Sequence, residues 1–467
     1  MSEERVGRSG ESDKVGRMLR EAEGKDAAGA AVEPFAAVMD LVRDKVGDLL
    51  SKPDVEEPVQ REAVGKVARE VITSFNAKAR GKGAPELEGK LDDLVDSVID
   101  EILGLGVLET LLSDDAIEDI YIIGTDTVQV VTADGERRTA DIEFQDRGRL
   151  MVLVRRALAQ DDKSVNYAQP FADGRLRDGS RIHVSIHPCA DPWPQVVIRR
   201  HRKLFEPGED RLARLIEMGT LTPQAALLLR LAVQAGASVL MTGATAAGKT
   251  TAINALAGEL DAATAVVCIE DTRELNFPGA NVSYLTTRLP SVEGEGAITQ
   301  GYLVQQALRK RPDWIVLGEA RGAEAWHFAQ AGNTGHSILG SVHANSTRDA
   351  IERYRDLCLE AGENLRENVV LRGVVRAFRL VVYLELDWQL RRRTVKSIAD
   401  VTGGVSEEQI AVMQELFEWK GGQLVCTPKR PYPRLQELLD RVGGYDQVLK
   451  GENIPPEWAK AAEQAGK

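Results

Sequence analysis

Cysteine is scarce in this chain of 467 residues: only Cys189, Cys268, Cys358 and Cys426 occur, with no C-x-x-C pair. That scatter argues against a disulfide framework and against structural zinc, and it fits a reducing cytoplasm. Long apolar runs are also missing. No stretch approaches the roughly 20 apolar residues that span a bilayer, and charge from Glu3 onward gives no expectation of a secretory leader. Positive charge is in deficit, with 59 Lys+Arg against 72 Asp+Glu and a net charge of −13. Direct nucleic-acid binding is therefore not expected. What is present is ordinary globular composition, 43% apolar and 28% charged. The length suggests about three domains.

Residues 1–32 carry almost no large apolar side chains and read as a disordered tail. Phe35, Val38, Met39, Val42 and Val46 follow helical spacing, as do Val64, Val67, Val71, Ile72 and Phe75, giving a helical module over 33–80. Ala77 to Pro85 reads as a linker. A further helix from about Glu86 opens a segment, 86–203, whose strand-like runs Ile117–Ile123, Val128–Val131, Arg181–Ile186 and Gln195–Ile198 surround a helix at Arg147–Ala159. That is an α+β domain. Strands and helices alternate over 209–404, as a RecA-like α/β sheet requires. Residues 405–467 are expected to form a mostly helical extension. The fold class is multidomain α/β.

Gly243-Ala244-Thr245-Ala246-Ala247-Gly248-Lys249-Thr250 matches G-x-x-x-x-G-K-[ST] in full, between an apolar strand-like run and a helix opening at Thr251. Strand, loop and helix in that order set backbone N–H groups and a helix dipole around a polyphosphate. Lys249 then reaches the outer phosphates and Thr250 ligates Mg²⁺. A nucleoside triphosphate is the implied ligand. Val266 to Glu270 is a strand running into carboxylates, Glu270, Asp271 and Glu274, suited to a magnesium ion or its waters; an ordinary acidic turn reads the same way. Trp314 to Leu317 delivers Glu319 to a strand end, where it could polarise water, although Gly318 stands at the usual Walker B aspartate. His336 and His343 sit among small residues in a strand-like stretch and are either structural or catalytic. Arg175, Arg181, Arg199 and Arg200 are either fingers aimed at a γ-phosphate or a solvated basic face.

In this order the motifs resemble the secretion ATPase superfamily of type II secretion, type IV pili and type IV secretion. They are the P-loop, Ile269-Glu-Asp-Thr-Arg-Glu-Leu275, the strand ending Gly318-Glu319, and Thr334-Gly-His336 with Val342-His-Ala-Asn-Ser346. Arg175-Leu-Arg-Asp-Gly-Ser-Arg-Ile182, Ile198-Arg-Arg200, Glu293-Gly294 and Gly318 to Ala325 look most like the CpaF type of the tight-adherence (Tad) pilus. The resemblance spans roughly 117–404. It implies an ATP- and Mg²⁺-dependent homo-hexamer with a PAS-like α+β domain ahead of the RecA-like core. It also implies inner-membrane platform partners met at the cytoplasmic face, without a membrane span of its own. By resemblance, Glu319 is the catalytic glutamate, Glu270 an acid near metal and water, and His336 and His343 a γ-phosphate-sensing pair. The four arginines would approach nucleotide across a boundary. Three departures stand out: Ala246-Ala247 where Ser-Gly is usual, Thr286 for a glutamate and His183 for an asparagine.

Overall fold

The computed structural model describes residues 34–50 and 57–465, apart from 83, 143, 145, 162, 202, 203, 280, 289, 291–294, 363 and 388. The expected tail over 1–32 and the Glu293-Gly294 segment lie outside the described residues. The chain divides into two compact units, one running to Arg200 and the other from His201, with residues 134–136 grouped with the second.

In the first unit, α1 (Pro34–Leu50), α2 (Glu57–Lys82) and α3 (Leu91–Ile102) pack around Val38, Val42, Ala68, Ile72, Val98 and Ile99. Two boundaries differ from the sequence reading. The supposed linker at 77–85 is helical as far as Lys82, because Ala79 is buried in this core and the flanking Ala, Lys and Arg residues favour helix. Helix α3, assigned from sequence to the 86–203 segment, buries Val95, Val98, Ile99 and Ile102 in the helical core. The helical module thus reaches Ile102.

After α4 (Leu108–Ser113), a six-stranded sheet follows, formed by β1 (Ile117–Ile123), β2 (Thr127–Thr132), β3 (Arg137–Thr139), β4 (Phe171–Arg175), β5 (Arg181–Ser185) and β6 (Gln195–Arg199). Its order is β3-β2-β1-β6-β5-β4 and every pairing is antiparallel. Alternate residues Ile120, Ile122, Ile182, Val184, Val196 and Ile198 share one core with Leu150, Val154 and Leu158 of α5 (Arg147–Ala159). Asp146 caps that helix, accepting from the Arg149 amide at 2.9 Å.

The second unit begins with α6 (Arg211–Glu217) and α7 (Pro223–Gln234). Then come β7 (Val239–Thr242), α8 (Lys249–Ala257), β8 (Val266–Glu270), β9 (Val282–Thr286), α9 (Gln300–Leu308) and β10 (Trp314–Ala320). α10 (Glu324–Asn333), β11 (Ser337–Val342), α11 (Thr347–Leu359), α12 (Glu367–Ala377) and β12 (Leu380–Asp387) complete the parallel part. The sheet has nine strands, and its parallel part has the order β12-β7-β11-β10-β8-β9. β7 to β12 run parallel, with α6 to α8 covering one face and α9 to α12 the other. Such a sheet carries its ligands beyond the carboxyl ends of its strands. No helix among the described residues is long and apolar enough to cross a membrane.

The extension expected to be helical over 405–467 is corrected. β13 (Arg392–Val405), β14 (Ala411–Lys420) and β15 (Gln423–Cys426) add an antiparallel edge to the same sheet. Register shifts at Ile398/Ala399 and Val401/Val405 break the two-residue alternation that marks a strand in sequence. Only then come α13 (Pro433–Leu439), α14 (Asp446–Lys450) and α15 (Pro456–Ala465). Their Leu435, Leu439 and Trp458 enter the core around β7, so these helices belong to the unit itself.

Candidate nucleotide site

The carboxyl ends of β7, β8, β10 and β11 lie side by side in the sheet and carry Gly243, Glu270, Glu319 and His343 respectively. Four motifs far apart in the chain thereby meet at one edge. The loop at Gly243 to Gly248 joins β7 to α8. A Cβ on Gly243 (φ 152°) would stand 2.2 Å from the Leu384 carbonyl oxygen, so no side chain fits there. Gly248, at the N-cap of α8, has φ 93°. Ala246 has φ 62°, a left-handed conformation that costs a non-glycine residue about 1 kcal/mol. The Ala-for-Ser departure thus falls on a strained position.

Lys249 is 7% exposed. Its ammonium donates to the carbonyls of Gly243 (2.9 Å) and Ala244 (3.1 Å), and lies 3.2 Å from His343 Nδ1. His343 Nε2 is 3.1 Å from Glu319 Oε1, which also accepts from Arg321 Nε at 2.9 Å. An ammonium only donates, so Nδ1 is the acceptor and the proton sits on Nε2, directed at the carboxylate. Burial and the Lys249 charge lower the His343 imidazole below its ordinary value against the pull of Glu319, which keeps it neutral at pH 7. Burial alone would raise Glu319, but the hydrogen bond and charge of Arg321, with His343 and Lys249 behind, hold it below the usual carboxylate range. Lys249, the neutral His343 and the ionised Glu319 form one continuous chain.

Arg321 also reaches Asp271 Oδ2 at 3.5 Å, and Asp271 Oδ1 accepts from Thr287 and Gln300 at 3.0 and 2.9 Å. The sequence reading did not single out Arg321, although its spacing of two from Glu319 was a usable signal. Nor did it find Arg393, whose Nε donates to the Ala246 carbonyl at 2.7 Å from the distant start of β13. Nothing local in the sequence marks that contact.

Glu270 is 5% exposed. Its Oε1 accepts from the amides of Glu274 (2.9 Å) and Leu275 (3.0 Å), so the carboxylate organises its own turn. A Cβ on Gly318 would stand 3.1 Å from Glu270 Cγ. The place of the missing Walker B side chain is filled by Glu270 from the neighbouring strand. Among the described residues no cluster of three or more His, Cys, Asp or Glu residues is arranged to hold a metal. A magnesium ion would come with its nucleotide, and Thr250, at the start of α8, is the residue on this loop to meet it. The rigid glycine cradle and buried lysine fit a polyphosphate.

His336 stands apart from this chain. It precedes β11 whereas His343 follows it, and a strand of that length separates them by roughly 20 Å. Its Nδ1 lies 3.3 Å from the Ala331 carbonyl at the end of α10.

The arginines divide as well. Arg175, Arg181 and Arg199 pair in register across β4, β5 and β6, with Asp119 of β1 next in the row. Since Ile182 and Ile198 face the core, this row lies on the opposite face of the sheet. Arg200 points the other way. Its side chain is 8% exposed and donates to the carbonyls of Asp114 and Ile117, clamping the entry to β1.

Fold and loop together define a P-loop protein built on a mostly parallel α/β sheet. The chain belongs to the type II/IV secretion system protein family, whose model matches residues 101–409. A Mycobacterium tuberculosis (strain H37Rv) protein provisionally named for conjugal transfer is 34% identical over 300 residues, 63% of this chain and 83% of its own. The type IV secretion system protein PtlH of Bordetella pertussis is 32% identical over 218 residues, 43% of this chain and 64% of its own. The crystal structure of the VirB11 ATPase from the Brucella suis type IV secretion system, in complex with sulphate, aligns at 24% identity with a TM-score of 0.34. That alignment covers 63% of this chain and 97% of the other.

Proposed function

We propose that this protein is the Mg²⁺-dependent, ATP-hydrolysing motor of a pilus-assembly or secretion machine. The observation that carries the proposal is the chain from Lys249 through His343 to Glu319. It links the group that would hold the outer phosphates to the group that would orient water, within one hydrogen-bonded path. Glu319 is ionised and can accept a proton or hold water, and Lys249 sits ready to exchange carbonyl partners for phosphate. The organisation along the chain is a helical module, an α+β domain bearing the arginine row and a P-loop domain. It suits a homo-hexamer in which Arg175, Arg181 and Arg199 approach the nucleotide of a neighbouring copy.

The motif details favour the CpaF type of the Tad pilus, working at the cytoplasmic face of the inner membrane against platform proteins. The printed names of the M. tuberculosis and B. pertussis relatives favour a second reading, a type IV secretion traffic ATPase. The test is steady-state ATP turnover with Mg²⁺ across a range of protein concentrations, with mass measured in parallel. The proposal expects turnover per chain to rise as rings form, and to vanish in Lys249→Ala. Turnover that is independent of assembly overturns the ring. Tight ATP binding without turnover makes the protein a nucleotide-gated scaffold.

A further inference from the structure

Arg391-Arg392-Arg393 closes the turn between β12 and β13, and the nucleotide reading assigns it no part. Arg393 touches both ends of the loop's left-handed segment. Its Nε donates to the Ala246 carbonyl at 2.7 Å, and its Cδ lies 3.1 Å from the point where a Cβ on Gly248 would stand. Ala246 (φ 62°) and Gly248 (φ 93°) are the left-handed residues on either side of buried Ala247. Loops that wrap an anion with successive amides rely on such left-handed residues. Glycine enters that region freely, whereas alanine resists it. At residue 246 the conformation therefore depends on something outside the loop, and the bond available to hold it is the one from Arg393 to the Ala246 carbonyl.

We propose that Arg393 is a positioning residue for nucleotide binding, which holds Ala246 in the left-handed conformation and so keeps the loop shaped to receive phosphate. This rests on the reading of Gly243 to Thr250 as the nucleotide loop. Arg393 acts through the loop carbonyl. Its loss should therefore weaken binding of ADP and ATP alike and raise KM, with kcat at saturating ATP changing far less. The dependence on Arg393 should also disappear when residue 246 no longer resists its conformation.

The test is equilibrium binding of a fluorescent ADP analogue to the full chain, with steady-state ATP turnover, in Arg393→Met, Arg393→Lys, and Arg393→Met combined with Ala246→Gly. Methionine keeps the stem against Gly248 and removes the donor. Loss of a charge-assisted hydrogen bond predicts roughly tenfold weaker binding in Arg393→Met. Arg393→Lys, which keeps a donor, should recover part of it. With Ala246→Gly already present, the same Arg393→Met change should cost less than about threefold, because glycine needs no outside hold. Equal losses with alanine and with glycine at 246 overturn the proposal, as does a fall in kcat at unchanged KM. If Arg393→Met unfolds, Arg393→Leu, which also lacks a donor, carries the same comparison. Lys249→Ala separates the two levels: if it binds nucleotide as the wild type does, the loop reading itself fails, whereas loss of binding there with no effect at Arg393 defeats only this inference.

Discussion

Glu319→Gln is the sharpest test of the chemistry because the partners of one carboxylate oxygen are defined. Oε1 receives both Arg321 Nε (2.9 Å) and His343 Nε2 (3.1 Å). The amide oxygen of glutamine can accept from both, and its NH₂ takes the place of the other carboxylate oxygen. Size and local hydrogen bonding are kept, while the negative charge and the basic lone pair are lost. A positioned base of this kind contributes about 10²- to 10⁴-fold, or roughly 3 to 5 kcal/mol of barrier. Single-turnover hydrolysis should slow by that factor. Affinity for a non-hydrolysable ATP analogue should hold or rise, because a carboxylate beside Lys249 and His343 has gone from a site that receives polyphosphate. The wild-type pH profile carries a matching signature. Glu319 is held below its ordinary value of 4.5, so it stays charged until the pH falls below that value, and its acid limb lies lower than a free glutamate's. Near-normal turnover of bound ATP in the variant would refute the role, and so would weakened binding with intact chemistry.

Gly318→Ala places a Cβ 3.1 Å from Glu270 Cγ, whose carboxylate is pinned by two backbone amides. A destabilisation of roughly 1 to 2 kcal/mol in denaturant titration is expected, and Gly318→Asp should cost more. Arg200→Met leaves the Asp114 and Ile117 carbonyls without their buried donor. It should cost about 1 to 3 kcal/mol in unfolding of the first unit, and an unchanged denaturation midpoint would contradict the clamp. Burial raises Asp400 from 3.8 to about 6. A carboxyl raised on folding contributes stability that is complete below its unfolded value and lost as pH rises through the folded one. Asp400→Asn should therefore gain on the wild type between about pH 4 and 6, on the order of 1 to 3 kcal/mol, and hold that gain above. A pH-independent difference in melting would show that Asp400 does not titrate there.

The parts of the site that were legible in the sequence are those decided locally. A strand-like run, a glycine loop and a helix read as such because each is specified by neighbours within a few residues, and β7, the loop and α8 follow. Glu319 was legible for the same reason, as an acid at the end of an apolar strand. Strand alternation was available and would have separated Arg199 from Arg200, since adjacent residues on a strand face opposite ways. It places one in the row with Arg175 and Arg181 and the other in the clamp on β1. The two histidines show the same arithmetic along the strand: seven positions apart, they had to fall at opposite edges of the sheet. The edge strands β13 and β14 were missed because bulges erase their period.

What remained illegible depends on which strands become neighbours. Gly318 read from sequence is a missing acid. In the sheet, β8 lies beside β10, with Val316 opposite Cys268 and Leu317 opposite Ile269. That register brings Glu270 to the side of Gly318, where its methylene crowds any further side chain. The absence of one carboxylate and the burial of the other are a single packing decision. Any substitution that restores a Walker B side chain at 318 should therefore require a smaller residue at 270. Gly318→Asp with Glu270→Ser should be better folded than Gly318→Asp alone, by thermal melt. If the second change gives no relief, the two positions are not sharing that space.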